Sequence, residues 1–282
     1  MMRRAEFAGS WYPATAQECE AAIRDFLADG VPAPAEGVLG VGGIVPHAGW
    51  YFSGSIAARV VSLMASLRKP DLVAVFGMHL APGHPNFIMA DGVWETPFGP
   101  LSVAGDVAAR LVEGFSFRVE TALRHGKDNT IELNLPFIRH FFGDVKILPL
   151  GLPPEPRSLA VARAVADVAT HLGYTLSVIG STDLTHYGPN YDFSPKGHGP
   201  EALRWVKEDN DASVIKRMLF LDPEGVISEG LSRHNACCSG AAASAIAAAK
   251  SLGAASAQQI AYATSHDKSA GASLVGYAGI VF

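Results

Sequence analysis

The stretch Val38-Leu39-Gly40-Val41-Gly42-Gly43-Ile44-Val45-Pro46-His47-Ala48-Gly49-Trp50-Tyr51-Phe52-Ser53-Gly54 decides the fold. Val, Ile and Gly running into Pro46 predict a buried strand, Val38 to Val45, that stops abruptly. The residues just past a strand's carboxyl end are where open α/β sheets place ligands. His47 therefore stands ready to enter a crevice; a histidine that only hydrogen-bonds its turn is the competing reading. Ser53 is expected to cap the next helix, whose Ile56, Val60, Val61 and Met64 recur at helical spacing.

The arrangement repeats twice. Asp71 to Gly77 is a second apolar strand, followed by Met78-His79; Ser177 to Gly180 is a third, followed by Ser181-Thr182-Asp183-Leu184-Thr185-His186-Tyr187-Gly188. Three strands that each deliver a histidine past their ends describe one site at one sheet edge. Between and around them, Ala16 to Leu27, Leu159 to Leu172, Trp205 to Leu219 and the small-residue run Gly240 to Leu252 read as helices. Val145 to Leu150 and Ser273 to Phe282 read as strands, Ala90 to Val103 as a strand pair around a Pro/Gly turn, and Tyr191 to Pro200 as a surface loop. No linker interrupts this alternation. The expected architecture is a single α/β domain over residues 1–282, a mixed or parallel central sheet with helices on both faces.

Composition removes several function classes. Of the 282 residues 17% are charged and 49% hydrophobic, against roughly 25% charged in ordinary soluble chains, so a large core is available. The net charge is −5 with no Lys/Arg cluster, so neither a nucleic-acid partner nor an anionic membrane is expected. Met1 to Glu6 lacks the apolar core of a signal peptide, and Ala236 to Ala255 is less apolar than a membrane span. The three cysteines, Cys19, Cys237 and Cys238, are an odd number, which suits free thiols in a reducing cytoplasm.

Neutral imidazoles with an anionic donor and open positions suit a redox-active ferrous ion, and zinc tolerates the same ligands. Asp183 and His186, three apart on a helical turn, would face the same way. The carboxylate would then fix the tautomer of His186 for acid/base work; an Asp183 N-cap over a satisfied histidine is the alternative. Cys237 and Cys238 open the Gly/Ala helix, where the dipole favours a thiolate able to bind metal. A buried, inert cysteine is the commoner fate.

In chain order, Ala8-Gly9-Ser10-Trp11-Tyr12-Pro13, Pro46-His47-Ala48-Gly49 with Phe52-Ser53-Gly54, Ile131-Glu132-Leu133-Asn134-Leu135-Pro136-Phe137, Ser181 to Gly188 and the Cys237 helix resemble the Memo family. That family is named for a mediator of receptor-driven cell motility, and its bacterial members are called AmmeMemoRadiSam system protein B. Its fold is similar to class III (LigB-type) extradiol dioxygenases, which use non-haem iron(II). The resemblance implies metal ligands at His47, His79 and Cys237, with Cys238 the alternative if the match slides by one residue. Iron(II) is the metal it points to, with copper or zinc as substitutes. It places Asp183 and His186 beside the metal as catalytic groups, and Trp11, Trp50, Tyr51, Asn129 and Glu132 around a substrate pocket.

Three positions depart from the family pattern. Asp128-Asn129-Thr130 stands where Glu-His-Ser is usual, so Asn129 replaces a pocket histidine, with His125 four residues upstream. Cys238 stands where glycine is usual. Phe52 stands where some members carry an aromatic hydroxyl. Two function classes follow. One is a non-haem iron oxidoreductase, dioxygenase-like, acting on a small aromatic molecule. The other is a vestigial enzyme that binds peptides or partner proteins, including those of an AmmeMemoRadiSam-type system. A hydrolase is disfavoured, because no G-x-S-x-G elbow occurs. On the second cysteine the expectation is specific: Cys237 faces the histidines and Cys238 turns away into packing.

Overall fold

Residues 1–282 are described by a computed structural model. Its centre is four parallel strands lying side by side in the order Lys146–Gly151, Leu72–Gly77, Leu176–Ser181 and Gly42–Val45. Every residue of the last three is buried, which explains their unbroken apolar runs: a parallel strand covered on both faces has no polar side to show. Their side chains alternate between two cores. Ile44, Ala74, Phe76 and Val178 point into one, and Val45, Val73, Val75 and Ile179 into the other, as the two-residue period of a strand requires. The Trp50–Leu67 and Leu135–Phe142 helices cover one face; Pro156–His171 and Ser239–Ser251 cover the other.

Antiparallel strands extend this centre. Leu274–Val281 pairs with Gly42–Val45 on one side and with Gln258–Thr264 on the other, and its first residues pair with His186–Tyr187. At the far edge stand Leu101–Val103, Val93–Trp94 and Met2–Arg3, where the buried Arg3 guanidinium stacks 3.5 Å from the Trp94 ring and pairs with Glu120. The sheet is mixed, with helices on both faces, as the sequence predicted. No helix is long and apolar enough to cross a membrane.

Several local expectations are corrected. The first strand begins at Gly42, not Val38, because Gly40 takes a left-handed turn (φ +69°). The following helix starts at Trp50 with Gly49 as its N-cap. Ser53 does not cap it; its hydroxyl donates back to the Ala48 carbonyl at 3.0 Å. Trp205 to Leu219 is not one regular helix: Pro200–Trp205 passes through a π turn, Val206–Asn210, into Asp211–Leu219.

Register places the site. Ile44 lies opposite Gly180, and Gly180 opposite Phe76, so these strands finish level and the segments beyond them crowd one edge. The Ser239–Ser251 helix lies against the sheet, buried from Ser239 to Ala249. It comes that close because Gly180 has no side chain: a methyl there would stand 2.8 Å from Ala245 Cβ and 2.9 Å from the Ala241 carbonyl. At its start, a methyl on Gly240 would strike the backbone of Leu152 to Pro154. The tip of this helix carries the two cysteines to the edge where the histidines arrive.

Candidate metal centre

His47 is fixed from three directions. Its backbone N–H donates to Asp183 Oδ1 at 2.8 Å, and its carbonyl accepts from Asn129 Nδ2 at 3.2 Å. Its Nδ1 lies 3.0 Å from Ser181 Oγ. That hydroxyl has one proton, which it donates to the Thr130 carbonyl at 2.6 Å, and it also accepts from Asn134 Nδ2 at 3.2 Å. Nδ1 must therefore carry the imidazole proton and donate to Ser181. In the neutral ring Nε2 then keeps its lone pair, the arrangement a metal-binding imidazole needs, and it faces Cys237 Sγ at 3.3 Å.

His79 arrives from the next strand through Met78, whose left-handed backbone (φ +69°) is held by a 2.6 Å hydrogen bond from its N–H to Thr130 Oγ1. A non-glycine residue there costs about 1–3 kcal/mol, and the turn brings the His79 ring to Cys238. The rings of His47 and His79 stand perpendicular, 5.0 Å apart. Cys237 N–H donates to the Asp183 carbonyl and Cys238 N–H to Thr182 Oγ1, each at 3.1 Å. Cys238 Sγ lies 3.3 Å from His79 Nδ1 and 3.8 Å from Cys237 Sγ. One donor atom from each of His47, His79, Cys237 and Cys238 falls within 4.8 Å of all the others. The three expected ligands converge. The expectation that Cys238 turns away is wrong: the chain leaves regular structure at Cys238 (φ −125°, ψ 52°), so adjacent side chains need not point oppositely.

Two imidazoles and two thiols are a donor set that zinc, copper and iron all accept. Burial opposes a charged imidazole at His47, yet Asp183, 3.9 Å from Nε2, and the Cys237 thiolate outweigh it and raise the group to about 9. Burial likewise opposes a charged Cys237, and the Cys238 thiol together with His47 overcomes it, holding Cys237 well below the usual thiol range. Both shifts favour a proton resting on His47 Nε2 opposite a Cys237 thiolate, and a cation that binds there displaces it.

The centre borders a cavity of about 760 Å³ that Trp11, Tyr51, Asn129, Asp183 and His186 also line. Phe52 lies there as well, and two phenols the sequence reading did not single out, Tyr191 and Tyr277, share the wall. No lysine or arginine does. A second cavity, about 580 Å³, is lined in part by Cys237 and shares His186 and Tyr191 with the first. The two rings meet edge-on at 4.8 Å.

Three sequence assignments fail on geometry. Asp183 does not orient His186, because Ser181 to His186 stays extended or irregular and never forms a helical turn. Asp183 serves His47 instead, and His186 Nδ1 donates to the Leu184 carbonyl at 3.1 Å. Trp50 is no pocket residue: it is buried, stacked 4.2 Å from Phe137, and its Nε1–H donates to the Leu133 carbonyl. Glu132 lies beneath the N-terminal segment, accepting from Phe7 N–H at 2.7 Å and the Tyr12 hydroxyl at 3.1 Å. His125, four residues upstream of Asn129, sits by Thr121 and Glu6 and does not line the cavity.

The Ser181 hydroxyl gives a direct test of the tautomer argument. Ser181→Ala frees the Nδ1 proton of His47 and is expected to weaken metal binding by about 10–100-fold, the usual cost of losing a ligand's supporting hydrogen bond. Competition with a chromophoric chelator measures it; an unchanged affinity would refute the role assigned to Ser181.

Compared with known families, residues 3–281 match the model of the Memo-like proteins. The chain belongs to the Memo family. A MEMO1 family protein of Pyrococcus furiosus is 33% identical over 290 residues, covering 100% of this chain and 99% of that protein. One from Methanopyrus kandleri is 34% identical over 295 residues, with the same coverage of each. Among solved structures, an uncharacterized protein from Escherichia coli K12 superposes with a TM-score of 0.50 at 13% identity, over 79% of this chain and 91% of that one. That likeness is one of fold. Within the Memo family frame, His47 and the two cysteines lie on segments that carried the resemblance, and His79 comes from a turn outside them.

Proposed function

We propose that this Memo family protein is a metal-dependent oxidoreductase, dioxygenase-like, in which His47, His79 and Cys237 hold iron(II) and the adjoining cavity presents an uncharged ligand. The observation that carries this is the meeting of a convergent donor set with a large cavity that also holds an unused histidine. A bound redox-active ion would supply electron transfer and polarise a ligand oxygen. Ser181 and Asp183 hold His47 in its binding tautomer and place. His186, with its proton committed on Nδ1 to Leu184, keeps Nε2 free to take a proton from a ligand hydroxyl. The aromatic walls and the absence of lysine and arginine favour a neutral aromatic molecule over a phosphate.

The test is oxygen uptake by anaerobically purified, iron-loaded protein over a panel of catechols and other phenols. His186→Ala should keep its iron and lose about 10²–10⁴-fold in turnover, the usual worth of a positioned acid or base. If the wild-type protein consumes no oxygen with any of them, the dioxygenase reading falls. The second reading then gains, because Trp11 and Tyr51 stand 43% and 66% exposed at the cavity rim, and aromatic anchors are typical of peptide and protein contacts.

A further inference from the structure

We infer that Cys238 is a fourth metal donor, so that the centre closes as a tetrahedral pair of thiolates and pair of imidazoles. The inference rests on the reading of His47, His79 and Cys237 as ligands and changes the character of the site they make. It comes from distances. In a tetrahedral site with metal–sulfur bonds of about 2.3 Å and metal–nitrogen bonds of about 2.05 Å, two sulfurs lie about 3.8 Å apart and a sulfur and a nitrogen about 3.6 Å. The two thiols are 3.8 Å apart, and the Cys237–His47 and Cys238–His79 pairs are each 3.3 Å apart. Three edges of the tetrahedron thus already stand within a few tenths of an ångström of their bonded lengths.

The backbone gives Cys238 little freedom to do otherwise. Its N–H is tied to Thr182 Oγ1, which itself donates to the Asp183 carbonyl at 2.8 Å; that same carbonyl receives the N–H of Cys237. One strap, Thr182-Asp183, thus grips both cysteines from the strand that also supplies Ser181. The next residue but one, Gly240, is pressed on the Leu152–Pro154 backbone, so the tip cannot roll to withdraw one sulfur. Cys238 and His47 are buried, Cys237 is half-buried and His79 is exposed, which puts one enclosed sulfur and one enclosed nitrogen behind the ion.

A site with four protein donors differs from a three-donor site in two ways. It is softer, favouring thiophilic ions over hard ones. It also leaves no vacant position in the resting protein, the distinction between closed and open zinc sites, so a cavity ligand binds the ion only if a donor moves off.

Cobalt(II) reads this directly, because sulfur-to-cobalt charge-transfer absorption scales with the number of bound thiolates and strong visible bands mark tetrahedral coordination. Anaerobic titration of the full-length wild-type protein is expected to give the strong visible bands and a charge-transfer intensity that falls by about half in Cys238→Ser and in Cys238→Ala. Chelator competition should show the affinity of both variants falling by more than about 100-fold, beyond what loss of a merely supporting contact costs. Two substitutions of different polarity, each checked for an unchanged fold by circular dichroism, keep the result from resting on one misfolded variant. Wild-type intensity and affinity in both variants would overturn the inference while leaving the three-ligand reading intact. A wild-type protein that develops no cobalt–thiolate band at all would overturn both.

Discussion

His47→Ala is expected to reduce the metal content of anaerobically purified protein from about one ion per chain to background. The effect exceeds that of any supporting residue, because the substitution removes the donor with the most completely specified geometry. Its backbone N–H, ring Nδ1 and ring Nε2 are each aimed at a named atom. It also leaves Cys237 without the partner that favours its thiolate. The fold should survive, because alanine keeps the N–H that donates to Asp183, and the cavity beside the ring is open to water. Metal analysis with a thermal melt decides the matter: wild-type metal content in a folded His47→Ala protein would place the ion elsewhere.

Trp50→Ala is expected to cost about 3–5 kcal/mol of stability, the range for emptying a large aromatic from a core, with metal content unchanged. The indole stacks on Phe137 and meets Tyr12 and Phe26 at 5.6 and 5.9 Å between ring centres. Removing it leaves a void among those rings and strands the Leu133 carbonyl that accepts its N–H. Denaturant unfolding measures the loss. A variant of wild-type stability with altered metal or ligand binding would restore Trp50 to the pocket that the sequence suggested for it.

The difference between these two residues marks what the sequence could and could not disclose. His47 and His79 were legible because a buried parallel strand is a continuous apolar run, and the residue after its end is delivered to the sheet edge whatever the loop does. Trp50 was not, because a helix that starts at the site has an inward face from its first residue, and proximity in sequence does not say which face a side chain occupies. Asp183 and His186 were found as residues and misjudged as a pair. Their spacing suits a helical turn, but His186 pairs instead with the Leu274–Val281 strand, and the carboxylate turns to His47. Cys238 defeated the rule that neighbours point apart, which holds inside regular elements and lapses at a helix cap. The Ser181–Thr130–Asn134 support of His47 joins residues 47 to 51 positions apart, and no local pattern carries it.

The seating of the Ser239–Ser251 helix at Gly180 and Gly240 has a consequence for how this centre can change over evolutionary time. A helix wedged at two points against backbone has no play, so substitutions elsewhere cannot nudge its tip by half an ångström and retune the distances between sulfurs and imidazoles. Gradual adjustment by remote repacking is closed to this scaffold. What remains is exchange of the side chains at the tip itself, in discrete steps, each adding or deleting a whole donor. On that view a second cysteine at 238 is the kind of change a jammed joint permits: the frame is kept unaltered and the chemistry is rewritten one letter at a time.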